Sequence, residues 1–321
     1  MKKLIALTTM LFCCIAQAKP NFDDYVTELK QEALEKGFSQ QVVDMAFADV
    51  KFHQRSVKAD KNQPEFKLTL DRYLKSRLPD WKVKKAIKLY KENQQVLDDV
   101  AAKYGVQARF IVALWGNESN FGTYMGKFPV ISALTTMAYE GRREAMFKKQ
   151  LFAAIKILDE GHIDKDDFLG SWAGAMGQSQ FMPTSFLAYA QDFDGDGKKN
   201  IWQNKADVFA SIANYLKQVG WNNSQTWGRQ VVIPEGFDLN LSGLNKSKMK
   251  SLLQWQELGV RRYDGSDLPV RDMQASLIMP DDEHGRIYLV YNNFHSLMNW
   301  NRSTYFGSAV GILADKIKAG I

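Results

Sequence analysis

The hydrophobic pattern of this chain changes period once, near Trp221, and that switch limits the folds open to it. Before it, apolar residues recur at helical spacing. "FDDYVTELKQEALEKGF" sets Asp23 and Asp24 early and Lys36-Gly37 late, the charge and capping order of a helix. "DWKVKKAIKLYKENQQVLDDVAAKYGV" places Val83, Ile87, Tyr90, Leu97 and Val100 near a 3.6-residue period, with Gly105 as a stop. After Trp221, "WGRQVVIPEGFDLNL", "DLPVRDMQASLIMP" and "GRIYLVYNNF" are short β-branched and aromatic runs bounded by Pro, Gly and Asp, which predict a small sheet. "STYFGSAVGILADKIKAG" closes the chain with a helix from about Ser303. The expected class is α+β, mainly α. It divides into a helical domain over 19–105, a glycine-interrupted helical core over 106–221, a small β domain over 222–300 and a C-terminal helix over 301–321 that returns to the helical domain.

The first eighteen residues fall outside that scheme. "MKK" is a basic start, "LIALTTMLFCCIA" an apolar run and "AQA" a small-x-small cleavage pattern ending at Ala18, the order of a secretory signal peptide. The run is short against the roughly 20 residues of a bilayer span. Cleavage after Ala18 places the mature chain in the periplasm and removes Cys13 and Cys14, the only cysteines, so no disulfide is expected. A retained membrane anchor is the rival reading, and an outer-membrane lipoprotein modified at Cys14 a further one, although Phe12 and Cys13 match a lipoprotein site poorly. Loss of Lys2 and Lys3 lowers the formal net charge from +6 by two. The remaining basic residues are dispersed at helical spacing, which suits an anionic wall or membrane surface; no nucleic-acid motif is present.

Two stretches carry chemistry. In "LWGNESNFG", Ile111, Leu114 and Trp115 lie seven, four and three positions before Glu118, so the acid shares their helix face. Burial and the negative end of the helix dipole, with Gly122 as the expected cap, both raise a carboxyl pKa there, which is what a general acid needs near neutrality. A carboxylate at the wet edge of the stripe is the plain alternative. "GSWAGAMGQSQFMPTSF" crowds small residues around Gln178 and Gln180 and then offers Pro183 for the first turn of a helix. Such a loop admits a ligand or simply packs tightly.

"WGNESNFG", "GSWAGAMGQSQFMPTSF", "DFDGDGKKNIW", "IANYLKQVGW" and "NWNRSTYF" occur in the order found in the membrane-bound lytic murein transglycosylase B family, which the chain resembles from about residue 22 to its C-terminus. The resemblance implies a lysozyme-like catalytic core flanked by a helical domain and a small β domain. It implies cleavage of the MurNAc–GlcNAc β-1,4 bond of peptidoglycan with formation of 1,6-anhydro-MurNAc. Glu118 matches the family's single catalytic acid, which serves as acid and then as base while the substrate's N-acetyl group replaces a second carboxylate. Ser171 matches a serine near the acid, Trp172 an aromatic position, Gln180 a glycan-binding glutamine, Tyr215 a site tyrosine and Asn301 a sugar-contacting asparagine. Trp300 and Phe306 stand where tyrosines are familiar, and Tyr73 is carried over from the looser motif "LDRYLKSRL". Glycan strands are the implied substrate, cell-wall synthesis proteins are possible partners, and a monomer is expected.

"DFDGDGKKNIWQ" adds Asp192, Asp194 and Asp196 at positions 1, 3 and 5 and a glycine at 6, an EF-hand-like set for calcium in a structural role. Lys198 at position 7 offers a backbone carbonyl, and Gln203 stands where a bidentate Glu is usual. The family's longer loop makes Asp207 the candidate last ligand, while Asn204 and Asp207 also fit a helix capping box. No organic cofactor is expected. A muramidase that admits water and a non-catalytic, calcium-stabilised wall-binding module are the alternatives. The four histidines are scattered, without a catalytic-triad or zinc spacing.

Overall fold

A computed structural model describes residues 21–61 and 68–321. The signal-peptide reading, with Cys13 and Cys14, lies outside the described residues.

Among the described residues, seven helices lead to Glu118: α1 (Phe22–Glu35), α2 (Gln40–Phe47), α3 (Gln54–Lys61), α4 (Leu70–Arg77), α5 (Asp80–Glu92), α6 (Gln94–Tyr104) and α7 (Ala108–Ser119). Local chemistry explains their ends. Asn21 accepts from the Asp24 amide at 2.9 Å to start α1, and Gly105, with φ 69°, ends α6. The single periodic run expected over 80–105 is broken at Asn93, whose Nδ2 donates to the Leu89 carbonyl at 2.7 Å and diverts the backbone between α5 and α6. Leu97 and Val100 are buried as their spacing predicts; on α5, Ala86 and Lys82 are buried while Val83, Ile87 and Tyr90 are half-buried, Val83 and Tyr90 against the main core.

The chain continues through β1 (Phe128–Pro129), α8 (Val130–Glu140), α9 (Glu144–Asp159), β2 (Leu169–Gly170), α10 (Pro183–Tyr189) and α11 (Lys205–Gln218). The remainder holds β3 (Gly228–Val232), β4 (Lys250–Ser251), α12 (Leu252–Glu257), β5 (Arg261–Arg262), β6 (Gln274–Ile278), β7 (Ile287–Val290), α13 (Asn292–Trp300) and α14 (Thr304–Gly320). Strands β4-β6-β7-β3-β5 form an antiparallel sheet in that order, and β1 pairs with β2.

Strand alternation makes this sheet a wall between two cores. Leu277, Ile287 and Leu289 face a small cluster with Trp255 and Leu252, while Ile278, Tyr288 and Val290 face the main core beside Trp227 and Phe294. Burial on both faces explains the continuous apolar runs of β6 and β7. The main core is built around α7, against which α5, α6, α11 and α14 pack. Ser303 starts α14 by accepting from the Phe306 amide at 3.3 Å. Gly311 of α14 lets Trp227 approach, since a Cβ there would meet the indole at 2.3 Å.

No helix among the described residues is long and apolar enough to cross a membrane.

Candidate active site

Helix α7 carries Glu118 in its last turn, with Ile111, Leu114 and Trp115 fully buried on the same face. The helix stops two residues earlier than the sequence suggests: the cap is Asn120, with φ 50°, and not Gly122. Asn120, Phe121 and Gly122 all have positive φ, so the chain reverses immediately behind the acid. A phenylalanine at φ 61° is strained. Packing holds it there, with its ring edge-on to Trp115 at 5.4 Å and the Lys85 ammonium 5.2 Å from its centroid.

The small-residue loop docks on this reversal through Gln178. Its side chain accepts from Trp115 Nε1 at 2.8 Å and donates to the Trp202 carbonyl at 2.9 Å. Its carbonyl accepts from Ser119 Oγ at 2.7 Å, and Ser119 Oγ in turn accepts from the Gly122 amide at 2.9 Å. A Cβ at Gly122 would strike the Gln178 amide at 2.5 Å. Gly174, with φ 85°, is likewise demanded by Leu134, 2.4 Å from a built Cβ. Packing therefore explains these small residues. It also places the loop beside the catalytic candidate.

Glu118 is partly exposed as a residue, but protein closely surrounds its carboxyl. That burial pushes its pKa up to about 7, and the indole hydrogen bond of Trp300 and the Arg77 guanidinium offset only part of the effect. Trp300 Nε1 donates to Glu118 Oε1 at 2.6 Å. Among the described residues, no second carboxylate figures in the interactions that set this pKa.

Trp300 is held in an aromatic group. Its ring lies 4.7 Å from Tyr215 and 5.3 Å from Phe181, and Tyr215 lies 4.5 Å from Tyr189. Tyr215 donates its hydroxyl to the Asn299 carbonyl at 2.7 Å, and burial pushes its pKa up to about 12, so it remains a neutral donor.

The other candidates divide. Ser171 Oγ accepts from the amides of Ala175 and Ala173 at 3.0 and 3.3 Å, leaving its own proton to donate. Trp172 is half-buried against the core. Gln180, at φ 50°, spends its Nε2 on the carbonyls of Gly177 and Met125. Asn301 is exposed and caps the Ser303 amide at 3.0 Å. Tyr73 is half-buried, edge-on to Tyr305 at 5.5 Å, with Arg77 5.7 Å from its ring centroid. Phe306, read from sequence as a stacking residue, is only 5% exposed within the main core. It is a packing residue, because the Ser303 cap turns the start of α14 so that this side chain faces inward.

The acidic loop gathers Asp192, Asp194 and Asp196, with one carboxylate oxygen of each within 4.8 Å of the others. Asp192 accepts from the amides of Gly195 and Gly197 at 2.7 and 2.9 Å. Lys198 donates its amide to Asp196 at 2.8 Å. Asp207 does not join the cluster. Fully buried in the first turn of α11, it accepts from the Phe193 amide at 2.8 Å and the Asn200 amide at 2.7 Å, one to each oxygen. It clamps the loop from inside, which neither the ligand reading nor the capping-box reading anticipates; Asn204 caps α11 by accepting from the Ala206 amide. The three clustered carboxylates are hard oxygen donors with little positive charge among them, a donor set that fits calcium.

Sequence reasoning overlooked Arg77 and the linking role of Gln178. Arg77 was within reach, since it lies four residues after Tyr73 on one helix face. A cleft of about 1120 Å³ lies at the other end of α7 around Gln107 and Arg109, away from Glu118.

A mainly helical body in which one acid is held near neutrality, with no other carboxylate among the described residues acting on it, has the layout of a lysozyme-like fold. The family described as "Transglycosylase SLT domain" matches residues 21–315, and the chain belongs to it. The chain is similar to the membrane-bound lytic murein transglycosylase B of Escherichia coli, 30% identical over 253 residues, which is 77% of this chain and 66% of that relative's length. Among solved structures, SltB3 from Pseudomonas aeruginosa in complex with NAG-NAM-pentapeptide superposes with a TM-score of 0.90 at 42% identity, covering 94% of this chain and 80% of that one. An Escherichia coli lytic transglycosylase in complex with calcium gives 0.76 at 27% identity, covering 94% of each chain.

Proposed function

We propose that the protein is a lytic transglycosylase that cleaves the MurNAc–GlcNAc β-1,4 bond of peptidoglycan and leaves a 1,6-anhydro-MurNAc end. One observation carries the reading: Glu118, on which no other carboxylate among the described residues acts, has its pKa pushed up to about 7 and is aimed by the Trp300 indole. A group that must give and then take a proton works best when its pKa lies near the operating pH. Protonated Glu118 donates to the glycosidic oxygen as the bond to C1 breaks. The substrate's own acetamido oxygen attacks C1, standing in for the nucleophilic carboxylate of a retaining hydrolase. Glu118, now ionised, removes the C6 hydroxyl proton while that oxygen closes on C1 and displaces the acetamido group. The acid is thereby restored, and no water is consumed.

Ser171 has a hydroxyl proton free to donate to the acetamido group. Trp172, Tyr215 and Trp300 offer aromatic faces to sugar rings, with Tyr73, Gln180 and Asn301 at the margins. In the acidic loop, Asp192, Asp194, Asp196 and the Lys198 carbonyl would hold calcium, which neutralises the clustered carboxylates and braces the loop. Asp207 supports that loop without being a ligand. Glycan strands with their peptides are the proposed substrate, and the periplasm, after removal of residues 1–18, is the proposed location. The family match and the SltB3 likeness support the substrate class.

The test is the chemistry of the product end. Digestion of purified peptidoglycan is expected to give muropeptides whose new ends resist borohydride reduction and weigh one water less than hydrolytic products. Reducible ends would make the protein a muramidase. Absence of cleavage with glycan binding retained would make it a wall-binding module.

A further inference from the structure

Helix α4 begins without a side-chain cap of its own: Thr69 stands at the position and makes no such bond. The cap comes from the loop between β6 and β7. Asp281 accepts from the Leu70 amide with both carboxylate oxygens, at 2.9 and 3.0 Å, and puts negative charge at the positive end of α4. The same carboxylate accepts the hydroxyl of Tyr305, which also bonds the Leu68 carbonyl. Arg286, at the far end of the loop, reinforces the junction by pairing with Asp71 at 2.6 Å.

Both elements joined by Asp281 run to the acid. Tyr305 lies in the first turn of α14, five residues after Trp300, whose indole holds Glu118 at 2.6 Å. Its ring meets Tyr73 of α4 edge-on at 5.5 Å, and Tyr73 underlies Arg77. Asp281 is thus the joint between the segment that aims the Glu118 hydrogen-bond donor and the helix that carries the cation acting on it.

We propose that Asp281 is a positioning residue for Glu118: from the β domain it caps α4 and anchors Tyr305, and so fixes Arg77 and Trp300 relative to the catalytic carboxyl. The proposal rests on the reading of Glu118 as the acid. The loop between β6 and β7 then sets the proton affinity of a carboxyl it does not touch. Releasing the joint lets Arg77 and Trp300 withdraw, and both favour the ionised carboxylate, so Glu118 should hold its proton more tightly.

The experiment follows the Glu118 carboxyl by carbon NMR in protein labelled at glutamate, with Glu118→Gln identifying the signal, alongside kcat, KM and the alkaline limb of activity. Asp281→Ala should raise the titration midpoint and move the alkaline limb upward together, by about half a pH unit. It should lower kcat several-fold with KM little changed. Arg77→Gln should move the midpoint the same way, and the double variant should add little. Tyr305→Phe, which removes the hydroxyl's contacts to Asp281 and Leu68 and keeps the ring, should give a smaller shift, and Asp281→Asn, which keeps one acceptor oxygen but loses the charge, should restore part of the wild-type value. If Asp281→Ala does not fold, Tyr305→Phe and Arg77→Gln carry the test. A melting-temperature loss with the Glu118 midpoint unmoved overturns the proposal. Activity surviving in Glu118→Gln overturns the reading of the acid instead, and the two failures are told apart because the titration does not depend on turnover.

Discussion

The end of α7 and the loop over 192–207 handle carboxylates in opposite ways. Glu118 stands alone and has its charge discouraged by burial, against which one indole and one guanidinium prevail only in part. In the loop, three acids crowd together in solvent, and burial pushes Asp192 upward less than the Gly197 and Gly195 amides pull it down, so it stays ionised. Asp207, buried below them, is raised by burial and by its acidic neighbours, despite accepting from two amides. The difference is between a carboxyl that burial holds near neutrality, Glu118, and one that backbone amides hold below the usual carboxylate range, Asp192. Proximity in sequence says nothing about it, and neither does the number of backbone donors, since Asp192 and Asp207 each accept from two amides; the depth of burial set against those donors decides.

The sharpest way to break this contrast is to neutralise one acid in each region. Glu118→Gln keeps the acceptor for Trp300 and removes the proton, so lytic activity should fall by about 10²–10⁴-fold, the span of a lost general acid. Asp194→Asn should leave kcat within about twofold below the melting temperature, because a metal-bracing group acts through stability. Turbidity clearing of purified walls reads both. Equal losses would mean that the loop takes part in the chemistry.

A second, smaller effect sharpens the loop's side of the comparison. Calcium at a hundredfold excess over its Kd should stabilise the fold by about 2.7 kcal/mol, and Asp194→Asn should cancel that gain. Calorimetric unfolding with and without calcium measures it. No calcium-dependent change in wild type would leave the loop an acidic turn braced by Asp207 alone.

Much of this was legible in the sequence because it rests on local patterns. The period switch at Trp221 announced the sheet, and the spacing of Ile111, Leu114 and Trp115 put Glu118 on the buried stripe. What stayed hidden depends on partners distant in the chain. The Gln178 link, the Trp300–Glu118 bond and the Asp281 cap join residues 59, 63, 182 and 211 positions apart, and no helical or strand period encodes such pairings. Asp207 was misjudged for a related reason. Its spacing fits a ligand or a cap, and only the fold shows that it is fully buried outside the Asp192–Asp194–Asp196 cluster, accepting from the Phe193 and Asn200 amides. Phe306 carried a familiar position, but the turn of the helix start decided which way it faced.

The smallest expected effect comes from the cost of keeping Glu118 where it is. Its ordinary pKa, 4.5, applies to the unfolded chain, and about 7 to the folded one. Below pH 4.5 both states are protonated and the site carries no penalty. Between 4.5 and 7 the unfolded chain ionises first, so folding stability falls as pH rises, and above about 7 the loss is complete. Glu118→Gln does not titrate, so its stability relative to wild type should be flat in acid, rise through that window and then level off. The plateau should be about 1–2 kcal/mol, less than the bare shift implies because the residue is partly exposed. Paired denaturant titrations at pH 4 and pH 8 read the difference directly. A variant no more stable than wild type at pH 8 would mean that the carboxylate is well solvated in the folded state, and the contrast with the loop would collapse into two kinds of charged surface.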